Sequence, residues 1–166
     1  AEEIFTFVNN VNTRDGGTHL SGFRSALTRT INGYAVKSGL LKNAGVSLAG
    51  DDVREGLIAV LSIKIPESQF EGQTKGKLGN TDIRGIVEQI VNDKLGQIFE
   101  EQPTTAKSII FKAISAAQAR EAAKKGIKIF TIGIGSKTGA RIPLDPLDKK
   151  PNNFLKSPNG QTIISQ

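Results

Sequence analysis

Leu57-Ile58-Ala59-Val60-Leu61-Ser62-Ile63-Lys64-Ile65-Pro66 is the stretch on which the reading of the fold turns. It is a nearly continuous apolar run of strand length, stopped by a proline, and such a run suits a strand in the middle of a covered sheet. Just upstream, AGDDVREG (49–56) reads as a short helical turn. Before that, Phe23, Ala26, Leu27, Thr30, Ile31, Tyr34 and Ala35 fall on one helical face, so residues 21–37 form an amphipathic helix with Ser21 as the expected N-cap. The opening EEIFTFVNNVN (2–12) is rich in β-branched and aromatic residues and predicts a strand that ends at the turn-forming TRDGG (13–17). Downstream of Pro66 comes a loop, SQFEGQTKGKLGN (68–80), and then Ile83, Ile86, Val87, Ile90, Val91, Leu95, Ile98 and Phe99 keep helical period up to Pro103. Residues 104–125 continue as an Ala-rich helix closed by Gly126. KGIKIFTIGIG (125–135) predicts another strand, with Ile127 to Ile134 expected in the same sheet as Leu57 to Ile65. QTIISQ (161–166) reads as a last short strand. Helices and strands in this order give the expected fold class, an α/β (α+β) two-layer sandwich with helices mainly on one face of the sheet.

Composition narrows the function. A chain of 166 residues with 37% hydrophobic content has enough apolar material for one ordinary core, alone or with an appendage. No run approaches a membrane span, and the start AEEIFTFVNN has no basic n-region or apolar h-region, so the expectation is a soluble, cytoplasmic protein. The absence of Met suggests a fragment or a processed chain. With no cysteine and one histidine, disulfides, thiolate metal sites and an imidazole zinc site fall away. The net charge of +6 is unevenly placed: residues 1–122 hold 14 basic and 14 acidic side chains, and residues 123–166 hold 8 and 2. Nucleic-acid contact, if any, is therefore expected from the basic tail and is expected to be weak and nonspecific.

The loop at 68–80 carries the chemistry. A glycine-rich loop brings backbone amides close to an anion, and a lysine adds a point charge that reaches a phosphate. Gly72-Gln73-Thr74-Lys75-Gly76-Lys77 has that make-up but no GxxxxGK[ST] spacing, so by composition alone it also fits a plain solvated connection. His19, in GGTHL, has no recognisable Ser, Asp or Cys partner and reads as a structural or turn residue rather than a catalytic base. Asp51, Asp52 and Glu55 read as acids favoured by a helix start rather than as metal ligands.

Three stretches occur in a known order: FVNNVNTRDGGTHLSGFRSALTRTIN, GDDVREGLIAVLSIKIPESQFEGQTKGKLGN, and the paired helices ending AAQAREAAKK. Together they make residues 1–125 resemble the transducer, the second domain of gyrase B, one of the proteins of DNA gyrase, and of its topoisomerase IV counterpart. The resemblance implies a ribosomal-S5-like left-handed βαβ fold. It also implies that Gln73 and Lys75 reach the γ-phosphate of ATP, bound with magnesium in a separate GHKL-type ATPase domain, and that DNA is a partner of the parent enzyme. Under it, the chain relays ATP state without catalysing anything by itself and holds no cofactor in isolation.

Residues 126–166 do not continue as the acidic, magnesium-holding Toprim domain that follows the transducer in that family. KKGIKIFTIGIGSKTGARIPLDPLDKKPNNFLKSPNGQTIISQ resembles instead the late part of a von Willebrand factor A domain of the Bat type. That family's metal-binding DxSxS element is absent, so Asp145 and Asp148 read as loop acids. A chimera joined within the helix AREAAKKG is the resulting expectation, with the tail adding a strand to the transducer sheet. The rival expectation is a recombined structural fold with no retained activity.

Overall fold

In the computed structural model the described residues are 2–42, 44–126, 140–141 and 164–165. The chain divides into two compact units, Ala1–Ile127 and Lys128–Gln166.

The first unit opens with β1 (Glu3–Val8), which turns at Asn9 and Asn10 and returns as β2 (Val11–Asn12). Both asparagines have positive φ, 50° and 66°, a backbone that suits a two-residue hairpin turn and that asparagine tolerates better than most residues. The single strand expected through residue 12 is therefore two, because Asn9-Asn10 takes the reversal that the sequence reading assigned to TRDGG. After β3 (Gly16–Gly17) come α1 (Thr18–Lys37), the single turn α2 (Gly50–Val53) and β4 (Ile58–Ile63). Helix α1 starts three residues before the expected Ser21. Its N-cap is Gly17, and Ser21 Oγ donates back to the Gly17 carbonyl at 3.2 Å.

β1 lies between β2 and β4, antiparallel to the first and parallel to the second, with Glu3 opposite Ile58 and Val8 opposite Ile63. A parallel pair needs a crossover, and α1 and α2 supply it. The expectation of a covered position for the 57–66 run is corrected here, while the neighbour expected for it at Ile127–Ile134 lies outside the described residues. Among the described residues β4 is the outer strand of its sheet, and Ile58 and Val60 are 74% and 69% exposed. A continuous apolar run shows that both faces tolerate burial, but not that something covers them. An outer strand with apolar side chains is a template for pairing. The isolated chain is expected to self-associate as concentration rises, and Val60→Lys to weaken that association at least tenfold in sedimentation velocity. Monomers of both proteins throughout the range would contradict this.

β5 (Phe70–Glu71) and β6 (Lys77–Leu78) form an antiparallel pair, and β6 also pairs in parallel with β3, giving a second small sheet in the order β3-β6-β5. Helices α3 (Thr81–Glu101) and α4 (Pro103–Lys124) follow, with Pro103 at the first helical position, where its missing N–H costs nothing. One core cluster gathers Ile31 and Ala35 of α1, Phe99 of α3, and Ala106, Ile110, Ala113, Ile114 and Ala117 of α4. Tyr34 meets Phe99 edge to face at 5.4 Å between centroids, an arrangement worth about 1 kcal/mol beyond area burial. A second cluster joins Val8, Leu78, Ile83 and Val87, with Ile63, Ile65 and Phe70 packed on it. That cluster seats both sheets on the start of α3.

Asp52, only 4% exposed, anchors the other end of the unit. It accepts the Ala49 N–H at 2.7 Å and a fork from Arg120 of α4, Nε to Oδ1 at 2.9 Å and Nη2 to Oδ2 at 3.0 Å. Burial pushes the carboxyl's pKa up, but the hydrogen bonds from Arg120 and from Ala49 outweigh it and leave Asp52 below its ordinary value. A carboxylate with a depressed folded-state pKa adds stability that is present above its unfolded pKa and lost as pH falls through the folded one. Arg120→Met leaves that buried carboxylate unpaired, and about 3 kcal/mol of stability should disappear at pH 7 in denaturant unfolding. The deficit should shrink as pH falls and Asp52 becomes protonated, because the carboxylate that Arg120 matches is then neutral. A pH-independent loss would remove Asp52 as the cause.

In the second unit, β7 (Ala140–Arg141) and β8 (Ile164–Ser165) pair antiparallel, so the short strand expected in QTIISQ is present over two residues. The strand expected at Ile127–Ile134, Asp145 and Asp148, and most of the basic tail lie outside the described residues. Among the described residues no helix is long and apolar enough to cross a membrane.

Candidate functional site

The loop at 68–80 is built as a hairpin rather than a plain connection. Its feet are β5 and β6. Asn80 braces the approach, its Oδ1 accepting the Gln69 N–H at 2.7 Å and its Nδ2 donating to the Glu67 carbonyl at 2.9 Å. The Gly79 N–H closes the base on the Gln69 carbonyl at 2.8 Å. Between the feet, the Lys75 N–H reaches the Gly72 carbonyl at 3.4 Å, and both residues have left-handed φ, 74° at Gly72 and 53° at Lys75. Gly72 does this without cost, and Lys75 as a non-glycine does it under strain of order 1 kcal/mol. Strain held at one residue of an exposed tip is a common mark of a working loop.

The two lysines of the loop, equivalent by composition, are separated by the fold. Lys77 Nζ sits 2.9 Å from Glu71 Oε2 across the β5–β6 pair, so its charge is matched. Lys75 forms no ion pair or hydrogen bond through its ammonium among the described residues. Its Nζ stands 6.0 Å from the centre of the Phe70 ring, a cation–π contact at the outer limit of useful distance. Gln73, Thr74 and Lys75 are exposed, while Gly76 and Leu78 are buried. The tip thus presents one unmatched cation and one amide on a backbone fixed at both feet. Such a tip can donate to an anionic oxygen that arrives from outside; it encloses nothing.

Under the loop, the segment before α1 supplies the support. The Asp15 N–H donates to the Gly76 carbonyl at 2.9 Å, and Gly16 and Gly17 register with Lys77 and Leu78. A Cβ at Gly17 would lie 2.4 Å from the Leu78 carbonyl oxygen, so only glycine admits this approach. His19, two residues after Gly17, is fully buried, in agreement with its reading as a structural residue. Its Nε2 lies 3.2 Å from Thr13 Oγ1, Nδ1 has no hydrogen-bond partner among the described residues, and burial holds its pKa below the ordinary imidazole value. Sequence reading missed Thr6, Thr13 and Asp15 altogether. The only available signal was Thr6 between two phenylalanines at alternating positions of β1. Of the three acids assigned to the helix start, Asp51 pairs with Arg54 at 2.7 Å and Asp52 with Arg120, and Glu55 stands just beyond α2. Among the described residues no group of three or more His, Asp or Glu side chains is gathered as a metal site.

Comparison with known proteins gives a consistent picture. The family model described as DNA gyrase B matches residues 1–128. The DNA gyrase B protein of Eisenibacter elegans is 60% identical over 125 residues, 75% of this chain and 26% of that protein. The DNA gyrase B protein of Chlamydia muridarum is 48% identical over 154 residues, 91% of this chain and 19% of that protein. The 43K ATPase domain of Thermus thermophilus gyrase B, solved in complex with an aminocoumarin, superposes with a TM-score of 0.70 at 51% identity over 76% of this chain and 34% of that one. The chain therefore spans about a quarter or less of the gyrase B proteins it matches. A match over 91% of the chain is longer than the first 126 residues can supply, so similarity to gyrase B runs into the tail in that relative. The von Willebrand factor A reading of the tail, and the chimera built on it, find no support in these comparisons.

Proposed function

Because the chain belongs to the DNA gyrase B family, we propose that it is a noncatalytic transducer segment of an ATP-dependent type II DNA topoisomerase, relaying the state of a nucleotide through the Gln73-Thr74-Lys75 tip. The observation that carries this reading is the unmatched ammonium of Lys75 beside a lysine, Lys77, whose charge is already taken by Glu71. In this reading the γ-phosphate belongs to ATP held by a separate GHKL-type ATPase domain, Lys75 supplies charge to it and Gln73 an amide donor. The matched Thermus thermophilus structure is of an ATPase domain, which supports a nucleotide-linked role. Any magnesium accompanying the nucleotide belongs, in this reading, to the domain that holds the nucleotide.

The relay is mechanical. A tip fixed at both feet, seated on β3 and on the start of α1, transmits a pull on Lys75 to the whole helical layer, and rigid-body rotation of a domain is a recognised mode of switching. DNA is the partner that the parent enzyme moves in response. The test is a pair of substitutions in a longer protein that joins this segment to a GHKL-type ATPase domain. Lys75→Ala should remove most of the ATP turnover and Lys77→Ala should leave it within about threefold. Equal effects of the two would refute the assignment.

A further inference from the structure

We infer that Thr13 and His19 are positioning residues for the loop that carries Lys75, acting through a buried, proton-ordered chain Thr6–Thr13–His19; their effect on turnover rests on the role proposed above for Lys75. Thr13 is 1% exposed and every polar atom it has is used. Its N–H donates to the Thr6 carbonyl at 2.9 Å, and its own carbonyl accepts both the Gly16 N–H at 2.9 Å and the Thr6 hydroxyl at 2.6 Å. Its hydroxyl lies 2.8 Å from Thr6 Oγ1 and 3.2 Å from His19 Nε2. One residue thus ties β1, the segment leading into β3, and the first turn of α1.

The proton positions follow from counting donors. A hydroxyl has one hydrogen. Thr6 spends its hydrogen on the Thr13 carbonyl, which can only accept, so the contact between the two hydroxyls requires Thr13 to donate to Thr6. Thr13 Oγ1 then has only acceptor capacity left for the imidazole, and His19 Nε2 must carry the proton. That leaves Nδ1 bare, in agreement with its having no partner in a fully buried ring. A second proton there would be a buried donor without an acceptor, so the neutral Nε2–H tautomer is locked. The chain therefore has one direction and no slack.

What it holds is the platform of the tip. Gly16 and Gly17, fixed from one side by Thr13 and by the start of α1, pair with Lys77 and Leu78, and Asp15 between Thr13 and Gly16 holds the Gly76 carbonyl next to Lys75. Removing the Thr13 hydroxyl strands the His19 N–H in the core and loosens the segment on which the start of β6 rests. A misplacement of about 1 Å at a charge-stabilising group costs up to roughly a hundredfold in rate.

The test has two arms. In the full chain, nitrogen NMR of the single histidine should show the proton on Nε2 and an unprotonated Nδ1. Thr13→Val should speed exchange of the Asp15 and Lys77 amides at least tenfold relative to those of α4, and Thr13→Ser should restore them. A proton on Nδ1, or acceleration shared equally by α4, would overturn the inference. In the longer protein with its ATPase domain, Thr13→Val should lower kcat about tenfold with KM for ATP changed less than threefold, and Thr13→Ser should recover it. Combined with Lys75→Ala, Thr13→Val should add no further loss, because it acts through that lysine; additive losses would overturn the positioning role. If Lys75→Ala alone leaves turnover unchanged, the proposed relay fails while the exchange and NMR arm still judges the platform.

Discussion

ATP turnover by a protein that joins this segment to a GHKL-type ATPase domain should fall about a hundredfold or more when Lys75 is replaced by alanine. The size of the loss follows from placing a preorganised donor where negative charge develops on a transferring phosphoryl group, an effect worth roughly 3 to 4 kcal/mol when one such donor is removed. The structure makes the loss specific. Lys75 stands at a fixed tip with no carboxylate to share its charge among the described residues, so it does not have to leave a partner to engage a phosphate. Lys77 has Glu71 at 2.9 Å and would have to break that contact first. The same reasoning limits the isolated chain. A charge-assisted hydrogen bond contributes about 1.5 to 3 kcal/mol, whereas even millimolar affinity requires roughly 4 kcal/mol. Calorimetry should find no saturable ATP binding by this chain below the millimolar range. Micromolar binding would mean that the chain has a nucleotide site of its own.

Gly17→Ala should cost about 4 kcal/mol of stability, the largest expected effect of a single methyl group in this protein. The added Cβ would lie 2.4 Å from the Leu78 carbonyl oxygen and 2.5 Å from the Leu78 nitrogen, distances no real contact tolerates, and the collision is with backbone that cannot rotate away. The residue also has φ of 139°, which L side chains rarely adopt. Overpacking of this kind costs about 1 to 3 kcal/mol and the backbone strain about as much again. Relief requires β3 to move off β6, which separates α1 from the hairpin that carries Lys75. Chemical denaturation measures the first consequence, and amide exchange at Asp15 and Lys77 the second. A variant with wild-type stability would show that the β3–β6 contact bears no weight, and the route from Lys75 to α1 would be lost with it.

The helices were legible in the sequence because their information is local. Apolar residues three and four apart marked α1, α3 and α4, Pro103 marked the boundary between the last two, and glycine-rich composition marked the loop. The order of motifs, read as a resemblance to the gyrase transducer, pointed to the family that the comparisons then showed. Other features are contacts between residues far apart in the chain, and no periodicity encodes them. The 57–66 run reads as covered because its composition allows burial on both faces, yet Ile58 and Val60 are exposed and β4 is outermost among the described residues, since a strand's place in a sheet is set by which edges find partners. Asn9-Asn10 turns the chain early because both residues take left-handed backbone, which the sequence permits but does not require.

Within the site, the sequence by itself determined which residue types are present: two lysines, an amide and flexible glycines in one loop, and one histidine near a turn. Only the tertiary structure decided their roles. It matched Lys77 with Glu71 across a pair of strands and left Lys75 at the tip with no carboxylate partner among the described residues. It brought Thr6, Thr13 and His19 into one buried hydrogen-bonded chain and seated the hairpin on Asp15 and Gly17, about sixty residues earlier in the chain. The reason is that charge pairing and burial depend on distances in space, and chain folding sets those distances only after the local elements have formed and packed.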